Sequence, residues 1–244
     1  MSLTFLPCGD SAMTLQLGEA IDAETNAHVI ALADMVERMQ HDGTLQGILD
    51  IVPTYRSLLI RYDPQLVRGA ALEARLSALE PGAMVPSAPS RHWTIPCLYG
   101  GEVGQDLDEL ARMKGLSTDE LIQIHAQTEY RVYMIGFAPG FAYLGGQPEI
   151  LHTPRLTTPR QNIARGAIGI GGQQGSINSV AGPSGWRYLG WTPLRTFDPE
   201  RADPFLLRAG DRVRFRPICP AEAQELDARS AAGELITTPD ETPR

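Results

Sequence analysis

Acidic side chains are missing from one long stretch of an otherwise acidic chain. The 244 residues carry 29 Asp and Glu against 21 Lys and Arg, a formal net charge of −8. No acid occurs between Ile150 and Phe197, where an average share would give roughly six. Lysine is almost absent; Lys114 is the only one, so no Walker A phosphate loop can form. The three cysteines, Cys8, Cys97 and Cys219, are odd in number and far apart, which fits a reducing compartment with free thiols better than a disulfide frame. They make no CxxC, and the five histidines show no HxxxH or HExxH spacing, so no transition-metal site is expected. No apolar run approaches the ~20 residues of a membrane helix. No positive charge precedes Arg38, so no secretory n-region is expected, and the chain reads as cytoplasmic. The acidic balance argues against general nucleic-acid binding, which needs a basic face.

What the acid-free stretch does hold is five arginines, Arg155, Arg160, Arg165, Arg187 and Arg195. Twelve of the 24 glycines lie between Gly136 and Gly190. Bare backbone amides beside unpaired guanidinium groups suit an anionic ligand. The competing reading is a glycine-rich barrel whose arginines pair with acids elsewhere in the fold. Ahead of them stand five aromatics, Tyr130, Tyr133, Phe137, Phe141 and Tyr143.

The chain divides by pattern. Residues 3–7 and 12–17 read as strands around a Gly9–Asp10–Ser11 turn. A helix follows from the N-cap Asp22, with Leu32, Met35, Val36 and Met39 on one face and Gly43 just past its end. Strands at 46–53 and 57–62 precede a second helix at about 65–80, carrying Leu66, Ala70, Leu72, Leu76 and Leu79. The order ββαββα predicts a small α+β domain over 1–80. Residues 81–90, uncharged and rich in Pro, Ser and Ala, read as a linker. The second domain, 91–219, opens with a strand at 91–99 and two short helices. The first spans roughly 106–114 and stops at Gly115. The second carries a capping box, Ser117 with Glu120, and presents Leu121, Ile122, Ile124 and His125. Short strands and turns then predict a β-barrel. Over 211–218, Arg212, Arg214 and Arg216 point out while Val213 and Phe215 point in. A small helix at 220–231 and a frayed tail complete 220–244.

Several constellations can be weighed. Gly169, Gly171, Gly172 and Gly175 miss the dinucleotide spacing by one, and no helix follows. Gly182–Pro183–Ser184–Gly185 lacks one spacer of a nucleophile elbow, so Ser184 reads as a turn residue. His125 ends a capped helix, where the dipole favours protonation, although a carbonyl-bonded structural histidine is equally consistent. The turn Phe137–Ala–Pro139–Gly140–Phe141 is stiff. Exposed, its rings form a pocket wall or docking patch; buried, they are core. Gln173 and Gln174 are paired amides able to read a lactam, urea or carboxylate, or merely a polar loop.

Laid side by side, GDSAMTLQLG, DIVPTYRSLLIRYDP, IPCLYGGE, EYRVYMIGFAPGFAYLGG, the two TPR triplets at 153–155 and 158–160, ARGAIGIGGQQG and GWRYLGWTPLRTFDP cover nearly the whole length. On them the chain resembles the KipI family, which includes the B subunit of 5-oxoprolinase and allophanate hydrolase subunit 1. That resemblance implies the α+β domain followed by a cyclophilin-like β-barrel. It implies as partners a KipA-type protein with a related barrel, the C subunit of 5-oxoprolinase, and an A subunit of LamB/YcsF type. Together these open 5-oxoproline to glutamate with ATP, accompanied by Mg, as co-substrate, and this chain itself carries no bound cofactor. Other relatives act on urea-derived amides, and one inhibits a sporulation histidine kinase. Two departures stand out: Gln174 where a threonine is usual, and Ala142 where a proline is usual.

Given a small carboxylate or amide as ligand, the expected site follows. Arg160 and Arg165 contact the anion, with Arg155, Gln173 and Gln174 on the substrate. His125 and Tyr133 order the pocket. Phe137, Pro139, Gly140, Phe141 and Tyr143 form its wall or the partner contact. No base stands out, so the acid/base groups are expected from a partner.

Overall fold

The computed structural model describes residues 3–79 and 90–240, which fall into two compact units. The linker expected at 81–90 lies almost wholly outside the described residues.

The first unit follows the order ββαββα: β1 (Thr4–Pro7), β2 (Ala12–Gln16), α1 (Ala23–His41), β3 (Ile48–Pro53), β4 (Ser57–Tyr62) and α2 (Gly69–Ser77). Its antiparallel sheet runs β1-β2-β4-β3. Asp22 caps α1 by accepting from the Thr25 backbone N–H at 2.8 Å. Leu32 and Val36 of α1 and Leu72 and Leu76 of α2 then close one core over Leu15, Leu58 and Ile60. Helix α2 starts later than its apolar pattern suggests. The Asp63 carbonyl accepts from both Leu66 and Val67 at 3.0 Å, and its carboxylate accepts from Gln65 at 2.8 Å. This local turn competes with the helix and leaves Leu66 71% exposed.

The second unit begins with β5 (His92–Tyr99), α3 (Leu107–Lys114) and α4 (Thr118–Gln127). Gly115 ends α3 in the left-handed region, and the Ser117–Glu120 capping box starts α4. The remaining elements are β6 (Tyr130–Ile135), β7 (Ala142–Gly145), a 3-10 turn at Glu149–Leu151, β8 (Arg160–Ile163), β9 (Ala167–Gly171), β10 (Gln174–Ile177), β11 (Gly182–Ser184), β12 (Arg187–Trp191), β13 (Arg212–Pro217) and α5 (Pro220–Ala231). Seven strands close a barrel in the order β10-β7-β6-β13-β5-β12-β9, while β8 and β11 pair as a separate ribbon. The barrel is mixed because β13 runs parallel to β5. Ile95, Val132, Leu144, Ile168, Ile177 and Val213 fill it.

The tail expected to fray is docked as far as Asp240. Asp240 donates its N–H to the His92 carbonyl at 2.7 Å, the Thr237 hydroxyl donates to the Thr94 carbonyl at 3.1 Å, and Ile236 packs on the core. These partners sit on β5, which composition near the terminus cannot reveal. Among the described residues, no helix is long and apolar enough to cross a membrane.

Candidate functional site

Strand β7 sets the site. Ala142 and Leu144 belong to the barrel core, so the alternation of a strand turns Tyr143 outward. Tyr143, Phe141, Phe137 and Trp186 wall a cavity of about 310 Å³, closed on other sides by Pro159, Pro183, Ser184 and Arg155. The rings contact edge-on or tilted, with Phe141 4.7 Å from Tyr143 and 6.2 Å from Trp186 between centroids. Partial burial pushes the Tyr143 phenol up in pKa, and the Arg155 guanidinium pulls it back.

Backbone contacts on both sides fix Arg155. Thr153 and Gly172 exchange backbone hydrogen bonds of 3.1 and 2.7 Å, and the Leu156 N–H donates to the Gly185 carbonyl at 2.7 Å. The guanidinium lies over Trp186, with Cζ 5.0 Å from the ring centroid, and reaches Gln174 Oε1 at 3.5 Å. Among the described residues, no carboxylate lies within 4.0 Å of it.

The other four arginines of the acid-free stretch are paired. Arg160, expected at the anion, instead forks onto Asp106 at 2.6 and 2.7 Å. Asp106 is 1% exposed and also accepts from the Tyr188 N–H at 2.7 Å. This hydrogen-bonded pair raises the Arg160 pKa further. Arg165 lies 3.3 Å from Asp227 and donates to the Pro193 carbonyl. Arg187 lies 3.1 Å from Glu109, and Arg195 3.9 Å from Asp198. Arg160 and Arg165, expected at the anion, thus each have a carboxylate neighbour within the fold. Both guanidiniums join elements of the fold, and Arg155 alone of the five faces the cavity.

His125 is also placed elsewhere. It is buried, with Nδ1 2.7 Å from the Tyr99 hydroxyl and its ring stacked on Phe215 at 4.7 Å. Burial lowers its pKa to about 3, so desolvation overrides the helix dipole and the ring is neutral. Its bond goes to a phenol rather than to a carbonyl. Tyr133 is buried on β6, where a Cβ on Gly145 would overlap its ring; it does not line the cavity. Gln173 is an exposed turn residue, whereas Gln174 is half-buried and touches Arg155.

The stiff turn splits between its two readings. Phe141 is buried, Phe137 is 74% exposed, Pro139 is exposed, and Gly140 packs so tightly that a Cβ would come 2.6 Å from Phe197 Cβ. Ser184 lines the cavity as a turn residue, its Oγ accepting from the Tyr188 hydroxyl at 2.8 Å and the Trp186 N–H at 3.2 Å.

Trp186, Pro159 and Pro183 do not stand out in the sequence. A signal for Trp186 is nonetheless present. Gly169 and Gly171 alternate on β9, and Cβ atoms there would come 2.9 and 2.7 Å from the rings of Tyr188 and Trp186. Glycine beneath a cross-strand aromatic makes room for the ring. These glycines carry rings rather than phosphates, and their amides belong to the strand ladder. Among the described residues, no group of three or more His, Cys, Asp or Glu side chains could hold a metal ion.

Residues 3–207 match the family model described as carboxyltransferase domain, subdomain C and D. The B subunit of 5-oxoprolinase from Bacillus subtilis (strain 168) is 38% identical over 221 residues, covering 85% of this chain and 89% of that protein. The crystal structure of TTHA0988 superposes with a TM-score of 0.75 at 36% identity over 85% of this chain, which spans 40% of that longer one. The Kluyveromyces lactis urea carboxylase gives a TM-score of 0.80 at 19% identity, over 98% of this chain and 24% of that one, a likeness of fold alone.

Proposed function

Because the chain belongs to the carboxyltransferase-domain family, subdomains C and D, we propose that it is the B subunit of an ATP-dependent 5-oxoprolinase, working with partner subunits to hydrolyse 5-oxoproline to glutamate. The Bacillus subtilis relative, one that carries this name, matches over most of both chains. The observation that carries the site assignment is Arg155, a guanidinium beside an aromatic cavity with no carboxylate partner among the described residues. It takes the substrate carboxylate, and the rings pack the five-membered body. The side chains around the cavity include no general base. Partial burial pushes Tyr143 up in pKa, and Ser184 Oγ accepts from the Tyr188 hydroxyl and the Trp186 N–H. In this reading the acid/base groups are supplied by the partners, a KipA-type C subunit and a LamB/YcsF-type A subunit, and ATP with Mg is a co-substrate of the complex. Activation of the lactam carbonyl by ATP creates a leaving group there, and this chain's part is to bind and orient. Urea offers Arg155 no charge, and no specific contact favours a kinase-binding role.

The test mixes purified subunits with ATP and 5-oxoproline and measures glutamate. Arg155→Met should lower kcat/KM roughly ten- to a hundredfold, the range for losing a charge-assisted hydrogen bond. Arg160→Met should instead cost about 2–4 kcal/mol of stability by stranding the buried Asp106 carboxylate, with KM held within about twofold. No glutamate from any wild-type combination would sink the enzyme assignment. Wild-type turnover by Arg155→Met would sink the pocket.

A further inference from the structure

Phe137 combines two features that stability alone does not select. Its φ is +68°, the left-handed region that a bulky side chain rarely adopts, and it is the only non-glycine there among the described residues. Its ring is 74% exposed, so little burial offsets that strain. The backbone is held in place from both sides. The Gly136 N–H donates to the Phe141 carbonyl at 3.1 Å, and the Phe141 N–H donates to the Ala138 carbonyl at 3.0 Å. Gly140 is wedged against Phe197 and the Thr196 carbonyl. A glycine at 137 would satisfy this turn without strain. The ring, however, stands on the cavity, edge-on to Phe141 at 5.4 Å. Strain that persists where the ring meets a pocket points to a function for the ring.

Resting on the reading of this cavity as the carboxylate site, we infer that Phe137 determines specificity. It selects carboxylates that carry a hydrocarbon body and discriminates against flat, wholly polar carboxylate amides. Arg155 attracts both classes equally, because it reads only the charge. The body of 5-oxoproline includes two ring methylenes, which gain by covering an aromatic face. Oxamate or allophanate has no C–H to place there and loses hydration of its amide instead. Discrimination therefore resides in the wall, and Phe137 is the most exposed of the four aromatic residues that form it.

The experiment measures Kd for 5-oxoproline, cyclopentanecarboxylate and oxamate by calorimetry. It uses the full chain, alone and with its partner subunits, as wild type, Phe137→Gly, Phe137→Tyr and Arg155→Met. Wild type should prefer cyclopentanecarboxylate and 5-oxoproline to oxamate. Phe137→Gly should shrink that preference roughly five- to tenfold, the effect of one or two methylenes losing their cover, with Tm equal to or above wild type. Phe137→Tyr should restore the preference. Arg155→Met should weaken all three ligands alike. An unchanged preference in Phe137→Gly, with Arg155→Met weakened, overturns the specificity role alone. A fall in Tm with preference kept makes the ring a structural staple and also overturns it. If the wild type binds none of the three, or Arg155→Met leaves all three unchanged, the pocket reading falls and this inference with it.

Discussion

His125 sits at the end of α4, where a dipole alone would keep it charged, yet the barrel core claims it. Phe215 stacks on the ring, Tyr130 lies 5.2 Å away, and Tyr99 holds Nδ1. The pKa falls from 6.5 to about 3 because no solvent reaches an imidazolium there. Between those values the unfolded chain binds a proton that the folded chain refuses, so folding stability drops as pH falls from 6.5 toward 3. The slope reaches at most about 1.4 kcal/mol per pH unit. His125→Gln removes this titration. The stability difference between wild type and variant, from urea unfolding, should change by about 2 kcal/mol between pH 6.5 and 4.5, with the wild type losing more. Parallel pH curves would place the histidine in contact with solvent. The residue type and helix position are legible in the sequence, but the burial is not. The same holds for the arginines. Asp106 lies 54 residues from Arg160 and Asp227 lies 62 from Arg165, so an acid-free stretch says nothing about acids brought in by other elements.

At the scale of elements, legibility follows locality. Helices α1, α3 and α4 announce themselves through Asp22, Gly115 and the Ser117–Glu120 box, because a cap and its partner lie within a few residues. Helix α2 is shorter than its apolar pattern because the Asp63 turn involves backbone bonds that no such pattern records. The β9–β10 hairpin shows the opposite case. Its glycines are visible, but their purpose depends on β12 lying alongside, with Tyr188 opposite Gly169. A methyl group on Gly171 would come 2.7 Å from the Trp186 ring. Gly171→Ala should therefore displace Trp186 and, through it, the guanidinium of Arg155. An overpacking cost of about 1–3 kcal/mol is expected, together with a several-fold weaker Kd for 5-oxoproline from a residue that does not line the cavity. Unchanged affinity with unchanged Trp fluorescence would show that the ring yields without disturbing Arg155.

At the scale of the whole molecule, the order of elements can be read from periodicity, whereas closure of the barrel cannot. Closure depends on β13 pairing in parallel with β5, with Arg212 beside His92, a juxtaposition that neither segment signals locally. The outcome is two hydrophobic cores built from separate lengths of chain. All three tryptophans, Trp93, Trp186 and Trp191, belong to the second unit, while the longest helix, α1 with 19 residues, belongs to the first. Tryptophan fluorescence therefore reports on the barrel alone, whereas helical circular dichroism reports on both units, whose described helices are of similar total length. Leu32 is fully buried in the first core, and Leu32→Ala should cost that unit about 2–5 kcal/mol. If the cores are energetically separate, the dichroism of this variant splits, one part lost at lower urea and the rest with the fluorescence transition, which stays with the affinity for 5-oxoproline at wild-type values. If both transitions move together, the units unfold as one cooperative block, and a substitution in the first unit is then felt at a pocket whose every lining residue lies in the second.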